Sequence, residues 1–307
     1  MTGRLEDRLA DYLAMRRALG YGLRRQEKLL VQYLGWLAQQ GEARVTTANA
    51  LAWATLPAGG AAWRSYRLTA VRGFARYLTA LGEPAEVPPA ELLPDQPHRA
   101  TPYLYTDAQI TALMQAADML STRHRAATYR TLIGLLAVTG MRVGEAIALD
   151  RRDFDNQHGL LVVCGKHGKL RELPLHPTTV AALSRYVRRP DRPAATRPEP
   201  ALLVSTAGTR LLIGNVWWTF DRLRQRAGIE ARSPTCRPRI HDARHTFAVN
   251  TILDAYRADE DAGPRLAVLS TYLGHADPGQ TYWYLQAAPE LMALAGRRLE
   301  RWLGELS

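Results

Sequence analysis

Apolar residues recur at helical spacing along most of the chain. Leu5, Leu9, Tyr12 and Leu13 share one face, and Leu29, Leu30, Tyr33, Leu34 and Leu37 form the next stripe. Residues 3–40 therefore read as helix, broken near Gly20-Tyr21-Gly22, with Gly41 as the stop. Thr46-Thr47 starts a short helix through Trp53. A third pattern, from Trp63 to Leu81, turns Leu68, Val71, Phe74, Ala75 and Leu78 inward. Its other face carries Arg64, Arg67, Arg72 and Arg76, a row suited to phosphate contact or to a solvated surface. Residues 83–102 then hold six prolines, Pro84, Pro88, Pro89, Pro94, Pro97 and Pro102. No long helix survives that density, so a stiff linker over 84–102 is expected between a helical domain at 1–83 and a larger domain at 103–307.

Beyond the linker, Thr106-Asp107 caps a helix through Leu120, and 128–139 is an apolar core helix. Gly140–Glu145 opens a short helix with Arg142 at its start. Leu160–Cys164 and Leu170–Leu175 read as strands of a hairpin around Gly165-Lys166-His167-Gly168-Lys169, since glycine permits a tight turn. A helix at 178–188, a proline-rich loop, a third strand at Ala201–Thr206 and a helix at Gly214–Gly228 follow. A basic loop, ARSPTCRPRI, leads into the helix HDARHTFAVNTILD, and Pro278-Gly279 starts another. Residues 289–304 close the chain as an amphipathic helix with Leu291, Leu294, Leu299, Trp302 and Leu303 apolar. The expected fold class is mainly α with a small β-sheet (α+β), in two domains.

Charge narrows the partner. The chain carries 40 basic and 29 acidic side chains, a net +11. Residues 1–100 hold 13 and 9 of these, leaving 27 and 20 for the rest, so both parts are basic. A polyanion, double-stranded DNA, is the expected partner. Part of the excess also fits an arginine-rich proteome. Cys164 and Cys236 show no spacing pattern, which suits a reducing cytoplasm. The first residues lack the apolar core of a signal peptide, and no stretch nears the ~18 apolar residues of a membrane span. A cytoplasmic protein working on the nucleoid, away from any membrane, is expected.

The chemistry-bearing residues cluster late. His241, Arg244, His275 and Tyr284 lie within 241–286, with Arg142 and Lys166 upstream. Together they suit a single reaction, in which a phosphodiester is held by its oxygens while a tyrosine attacks phosphorus. A guanidinium donates two parallel hydrogen bonds and keeps its charge. Two of them oppose the extra negative charge of the transition state. The phenol, with an ordinary pKa near ~10, is activated by nearby cations. His241 can accept its proton. Only three lysines stand against 37 arginines, and two of the three sit in the hairpin turn. Lysine, unlike arginine, can release a proton, so a turn lysine, Lys166 or Lys169, is the candidate acid for the leaving 5′-oxygen. Glu145 would buttress Arg142. His241 and His245 have the i, i+4 spacing of zinc ligands, but HDARH lacks the glutamate that usually accompanies them. No phosphate-binding glycine loop of the G-x-x-x-x-G-K-[ST] type and no zinc-spaced cluster occurs, so no cofactor and no metal is expected.

These boxes, TGMRVGEAIAL, CGKHGK, HDARH, LGH and QTYWYLQ, resemble the tyrosine recombinase (phage integrase) family over roughly residues 100–290. The family's ordered signature is Arg, Lys, His-x-x-Arg, His or Trp, Tyr. The resemblance implies a two-part clamp around duplex DNA: a helical core-binding domain and a tyrosine recombinase catalytic domain. It aligns Arg142, Lys166 (24 residues on), His241, Arg244 and His275 with the signature. It also selects Tyr284, nine residues beyond His275, over Tyr282, which is left to packing. It implies strand cutting and rejoining through a 3′-phosphotyrosyl intermediate, by protomers that assemble as dimers to tetramers on DNA, alone or with related recombinases. The terminal helix would dock into a neighbouring protomer, or pack onto its own domain. The 31 residues from Arg244 to His275, lengthened by ADEDAG at 258–263, depart from the chromosome-dimer resolvases and favour a mobile-element integrase or transposase. The alternatives are a type IB topoisomerase-like nicking-closing enzyme and a non-catalytic DNA-binding accessory protein.

Overall fold

The structure is a computed structural model. It describes residues 2–56, 59–93, 100–165, 168–193, 201–258, 260, 262–274, 279, 296 and 300. Lys166, His275, Tyr282, Tyr284 and all but two residues of the terminal helix expected at 289–304 lie outside the described residues. The chain divides into two compact units, Met1–Arg99 and Ala100–Ser307.

Unit one is a four-helix cluster: α1 (Thr2–Ala18), α2 (Arg24–Gln39), α3 (Thr47–Thr55) and α4 (Ala61–Ala80). The expected break between the first two helices is present, with Gly20 at φ 84° and Leu23 at φ 37°. Thr46 and Asn49 cap α3 reciprocally, each side chain bonding the other's main-chain N–H. Leu9, Tyr12, Leu13, Leu30, Tyr33, Leu37, Trp53, Leu68, Val71, Phe74 and Leu78 form one buried core. The apolar stripes pointed to all of these but Trp53.

The arginine row on α4 divides. Arg67 is buried; its Nη2 donates to the Trp53 carbonyl at 2.7 Å, and its guanidinium lies 3.5 Å from the Trp53 ring centroid. Arg72 donates through Nε to Pro88 and through Nη2 to Pro89, both at 2.7 Å. These two arginines hold protein together. The second also draws the start of the proline-rich run onto α4, where Ala85, Val87, Leu92 and Leu93 pack on the core. A 3-10 turn, Ala90–Leu92, follows.

Unit two is built on α6 (Arg123–Thr139), against which α5 (Asp107–Asp118), α8 (Pro177–Val187) and α10 (Asp242–Arg257) pack. α7 (Val143–Ala148) follows α6, α9 (Ile213–Arg226) packs on α5, and α11 (Ala262–Leu273) on α10. Helix α6 starts five residues before the apolar run, because Thr122 caps it and its first turn is polar. The sheet is antiparallel, β1 (Phe154–Asp155), β2 (Leu160–Cys164) and β3 (Leu170–Pro174). Cys164 faces Leu170 across the hairpin.

The third strand expected at Ala201–Thr206 is absent. That run makes only isolated bridges, Asp150 to Ala201 and Val204 to Arg210. Leu202, Leu203 and Val204 are buried as their apolar character requires. The main chain of Leu202 and Val204, however, bonds to Leu149, Arg192 and the Tyr186 hydroxyl instead of a ladder. Among the described residues, no helix is long and apolar enough to cross a membrane.

Replacing Arg67 by alanine removes a desolvated cation–π contact and leaves the Trp53 carbonyl without its donor. The expected loss is about 2–4 kcal/mol, read as a lowered unfolding midpoint. Arg67→Lys is expected to recover only part of it, as one ammonium cannot both stack and reach the carbonyl.

Candidate active site

The site begins where α6 stops. Gly140 has φ 58°, and its N–H closes the helix on Leu136. A Cβ there would stand 2.5 Å from Phe247 Cδ1 and 3.0 Å from Leu273 Cδ2. Glycine is needed here for the left-handed turn and for the approach of side chains from α10 and α11. Two residues on, Arg142 is the N-cap of α7 in extended backbone. Its main-chain N–H donates to Glu145 Oε2 and its Nη1 to Oε1, both at 2.9 Å.

Glu145 is nearly enclosed and also meets Arg171 from β3. Arg171 Nη2 donates to Oε2 at 2.7 Å and Nη1 to Oε1 at 3.3 Å, while Nε donates to the Tyr272 carbonyl at 3.0 Å. Burial by itself would raise the Glu145 carboxyl. The hydrogen bonds from Arg171 and Arg142, with their charges, outweigh it and hold the group below the usual carboxylate range.

Helix α10 supplies the centre. Arg244 is 2% exposed, and its Nη1 donates to the Gly140 carbonyl at 2.9 Å and its Nη2 to the Leu273 carbonyl at 2.7 Å. One guanidinium thus joins the turn before Arg142 to the end of α11, two residues before His275. Asp242 is fully buried and anchors the basic loop ahead of α10. It accepts from the Arg239 N–H at 2.8 Å, Nη2 at 2.9 Å and Nε at 3.2 Å. Burial nonetheless pushes its pKa up, against the lowering by Arg239.

His241 is the N-cap of α10 and open to solvent on one side. Its ring meets that of buried His245 edge-on, centroids 5.1 Å apart at 87°. Crowding around the ring, then the charges of Arg244, Arg142 and Arg239, push its pKa down to about 4, with Glu145 opposing. At pH 7 the imidazole is neutral and can accept a hydrogen bond, and the same cations keep it a weak base until an anion beside it offsets them. Among the described residues no group of His, Cys, Asp or Glu could hold a metal ion.

The sequence-derived residues Arg142, His241 and Arg244 come together here, with Glu145 buttressing Arg142. Lys166 belongs to the turn between β2 and β3, outside the described residues, while Lys169 at its far side is exposed and its carbonyl accepts from the Gly165 N–H at 2.8 Å. Arg171 was missed. Its signal is alternation: Arg171 shares the inward parity of buried Leu173, whereas Leu170 and Glu172 face out.

Two similarities accompany this geometry. Residues 104–290 match the phage integrase family. A putative integrase/recombinase, y4rB of Sinorhizobium fredii, is 42% identical over 300 residues, covering 95% of each chain. The chain belongs to the phage integrase family, the tyrosine recombinases, enzymes of site-specific DNA breakage and rejoining. Its fold is that of solved members. The XerH recombinase bound to a palindromic difH substrate superposes with a TM-score of 0.64 at 17% identity, covering 91% of this chain and 80% of that one. The Tn1549 transposon integrase, in complex with transposon right-end DNA, gives 0.62 at 16%, covering 95% and 99%.

His241 is expected to titrate near pH 4 by NMR, and Arg142→Gln to raise that midpoint by removing a nearby positive charge. An unfolded histidine binds its proton near ~6.5. Between those values the unfolded chain holds more protons than the folded one, so this residue's contribution to stability falls as pH drops through that window. A midpoint at the ordinary value would show that the arginines do not act on the ring.

Proposed function

We propose that Arg142, Arg244 and His241, joined by His275, hold one phosphate of duplex DNA while Tyr284 attacks its phosphorus. The tyrosyl oxygen forms a bond to phosphorus and the bond to the 5′-oxygen breaks. The phenolic proton passes to neutral His241, and Lys166 gives the leaving oxygen a proton. The phosphotyrosyl ester conserves the bond energy until the 5′-hydroxyl of another strand reverses the step. Charge stabilisation comes from the guanidinium groups, of which Arg142 is the accessible one and Arg244 the buried one. No cofactor enters this balance.

The observation that supports the reading most is the pair of Arg244 hydrogen bonds to the Gly140 and Leu273 carbonyls. They bring the Arg142 turn beside the segment that leads to His275. The net charge of +11 suits a DNA duplex. Each chain offers one nucleophile, so exchange between two duplexes takes four cuts and four protomers, as dimers that pair on DNA, with or without related recombinases. The work is then done at the nucleoid, in the cytoplasm. Similarity to the integrase/recombinase y4rB and to a transposon integrase supports movement of a mobile element as its purpose.

Two measurements test the roles. On a nicked suicide duplex, Tyr284→Phe should lose covalent trapping and keep DNA binding, while Tyr282→Phe keeps both; the reverse pattern would assign the nucleophile to Tyr282. Lys166→Arg should slow cleavage by about 10²–10⁴-fold. Sulfur at the bridging 5′ position makes a leaving group that needs no proton. On that substrate Lys166→Arg should regain most of its rate, and Arg142→Ala should not. Rescue of Lys169→Arg instead would move the acid to Lys169.

A further inference from the structure

We propose that Arg171 is a positioning residue that keeps the charge of Arg142 available to the phosphate, by holding the Glu145 carboxylate in a two-point ion pair fastened to the Tyr272 main chain. This rests on the phosphate-binding reading of Arg142 above.

The argument is one of charge and reach. One carboxylate faces two guanidinium groups, so the trio carries a net positive charge. Arg171 occupies both oxygens of Glu145, at 2.7 and 3.3 Å, whereas the side chain of Arg142 makes one contact, at 2.9 Å. The side chains of Arg171 and Glu145 are 13% and 7% exposed, that of Arg142 35%. The enclosed pair is thus Arg171 with Glu145, and Arg142 is the member that faces solvent. A buried carboxylate is costly without a partner. With Arg171 gone, Glu145 would draw Arg142 into a close two-point pair of its own, cancelling its charge and turning its donors toward α7.

The rest of the Arg171 side chain is fixed as tightly. Its Nε is bonded to the Tyr272 carbonyl at 3.0 Å. A Cβ on Gly274 would stand 3.1 Å from its Nη1 and 3.4 Å from its Cδ, so the main chain just before His275 lies against it. The same residue is part of β3, the strand that follows Lys166 in sequence. Arg171 therefore ties β3 and the end of α11 to the one carboxylate of Glu145.

The test compares Arg171→Ala, Arg171→Lys, Glu145→Gln and Arg171→Ala/Glu145→Gln with the wild-type full chain. The readouts are covalent trapping rate on saturating suicide duplex and Kd by gel shift. Arg171→Ala is expected to slow trapping by about 10²-fold, comparable to losing one charge-stabilising donor, with Kd little changed. Arg171→Lys should fall between. Glutamine cannot neutralise Arg142, so the double variant should trap faster than Arg171→Ala alone. Glutamine also removes an unpaired buried charge and so restores stability; a purely structural role is therefore separated by the His241 titration below, which it would leave unmoved. A double variant no faster than Arg171→Ala, or wild-type trapping by Arg171→Ala, overturns the proposal. If Arg171→Ala does not fold, the same comparison is made between Arg171→Lys and Arg171→Lys/Glu145→Gln.

A second readout needs no cleavage. Arg142→Gln should raise the His241 midpoint in the wild-type background and raise it clearly less where Arg171 is alanine, or lysine if alanine does not fold, because Arg142 is then neutralised. Equal shifts in both backgrounds overturn the proposal. Should the wild type trap no DNA, the tyrosine mechanism fails, and this cycle still decides the role of Arg171.

Discussion

Unit two depends on a guanidinium enclosed in protein. Arg244 sits where three chain segments meet, and its two hydrogen bonds to the carbonyls of Gly140 and Leu273 satisfy groups left over where α6 and α11 end. Burying a charge is unfavourable unless it is hydrogen-bonded. Here the same bonds that make the burial tolerable fix the distance between the Arg142 turn and the approach to His275. A neutral side chain of similar volume could fill the space but could not bind both helix ends. Gly140 completes the arrangement by leaving room for Phe247 and Leu273.

Around that centre, charges are arranged by like and unlike pairs. Glu145 is shared between Arg142 and Arg171, and Asp242 between the main chain and the side chain of Arg239. Each carboxylate immobilises arginine whose charge would otherwise be spread over a flexible side chain. The surplus of positive charge acts on His241, which stays neutral well below pH 7. A site already crowded with cations favours an anion over a proton.

Unit one solves a different problem with the same residue type. Arg67 and Arg72 point into protein, one onto Trp53 and one onto the carbonyls of Pro88 and Pro89. A sequence row of arginines on a helix therefore does not by itself mark a phosphate-binding face. Arginine can cover aromatic surface with its plane and satisfy carbonyls with its edge, and lysine can do neither as well.

The described helices were legible in the sequence, because burial of one stripe per helix leaves a period that local composition displays. The order of the candidate residues and the place of Arg142 at a helix start were legible too, since Gly140 and the Glu145 spacing are local features. Contacts between residues far apart in the chain were not legible there and came only with packing. Arg171 meets Glu145 across 26 positions and Arg244 meets Gly140 across 104. No local pattern encodes such pairs, apart from the inward parity that sets Arg171 beside Leu173. The run at Ala201–Thr206 makes the same point in reverse: its apolar character required burial, which it has, but not a ladder, which depends on whether a neighbouring strand edge is free. Propensity is local, whereas hydrogen-bond partners and charge neutralisation are settled only when the chain has packed.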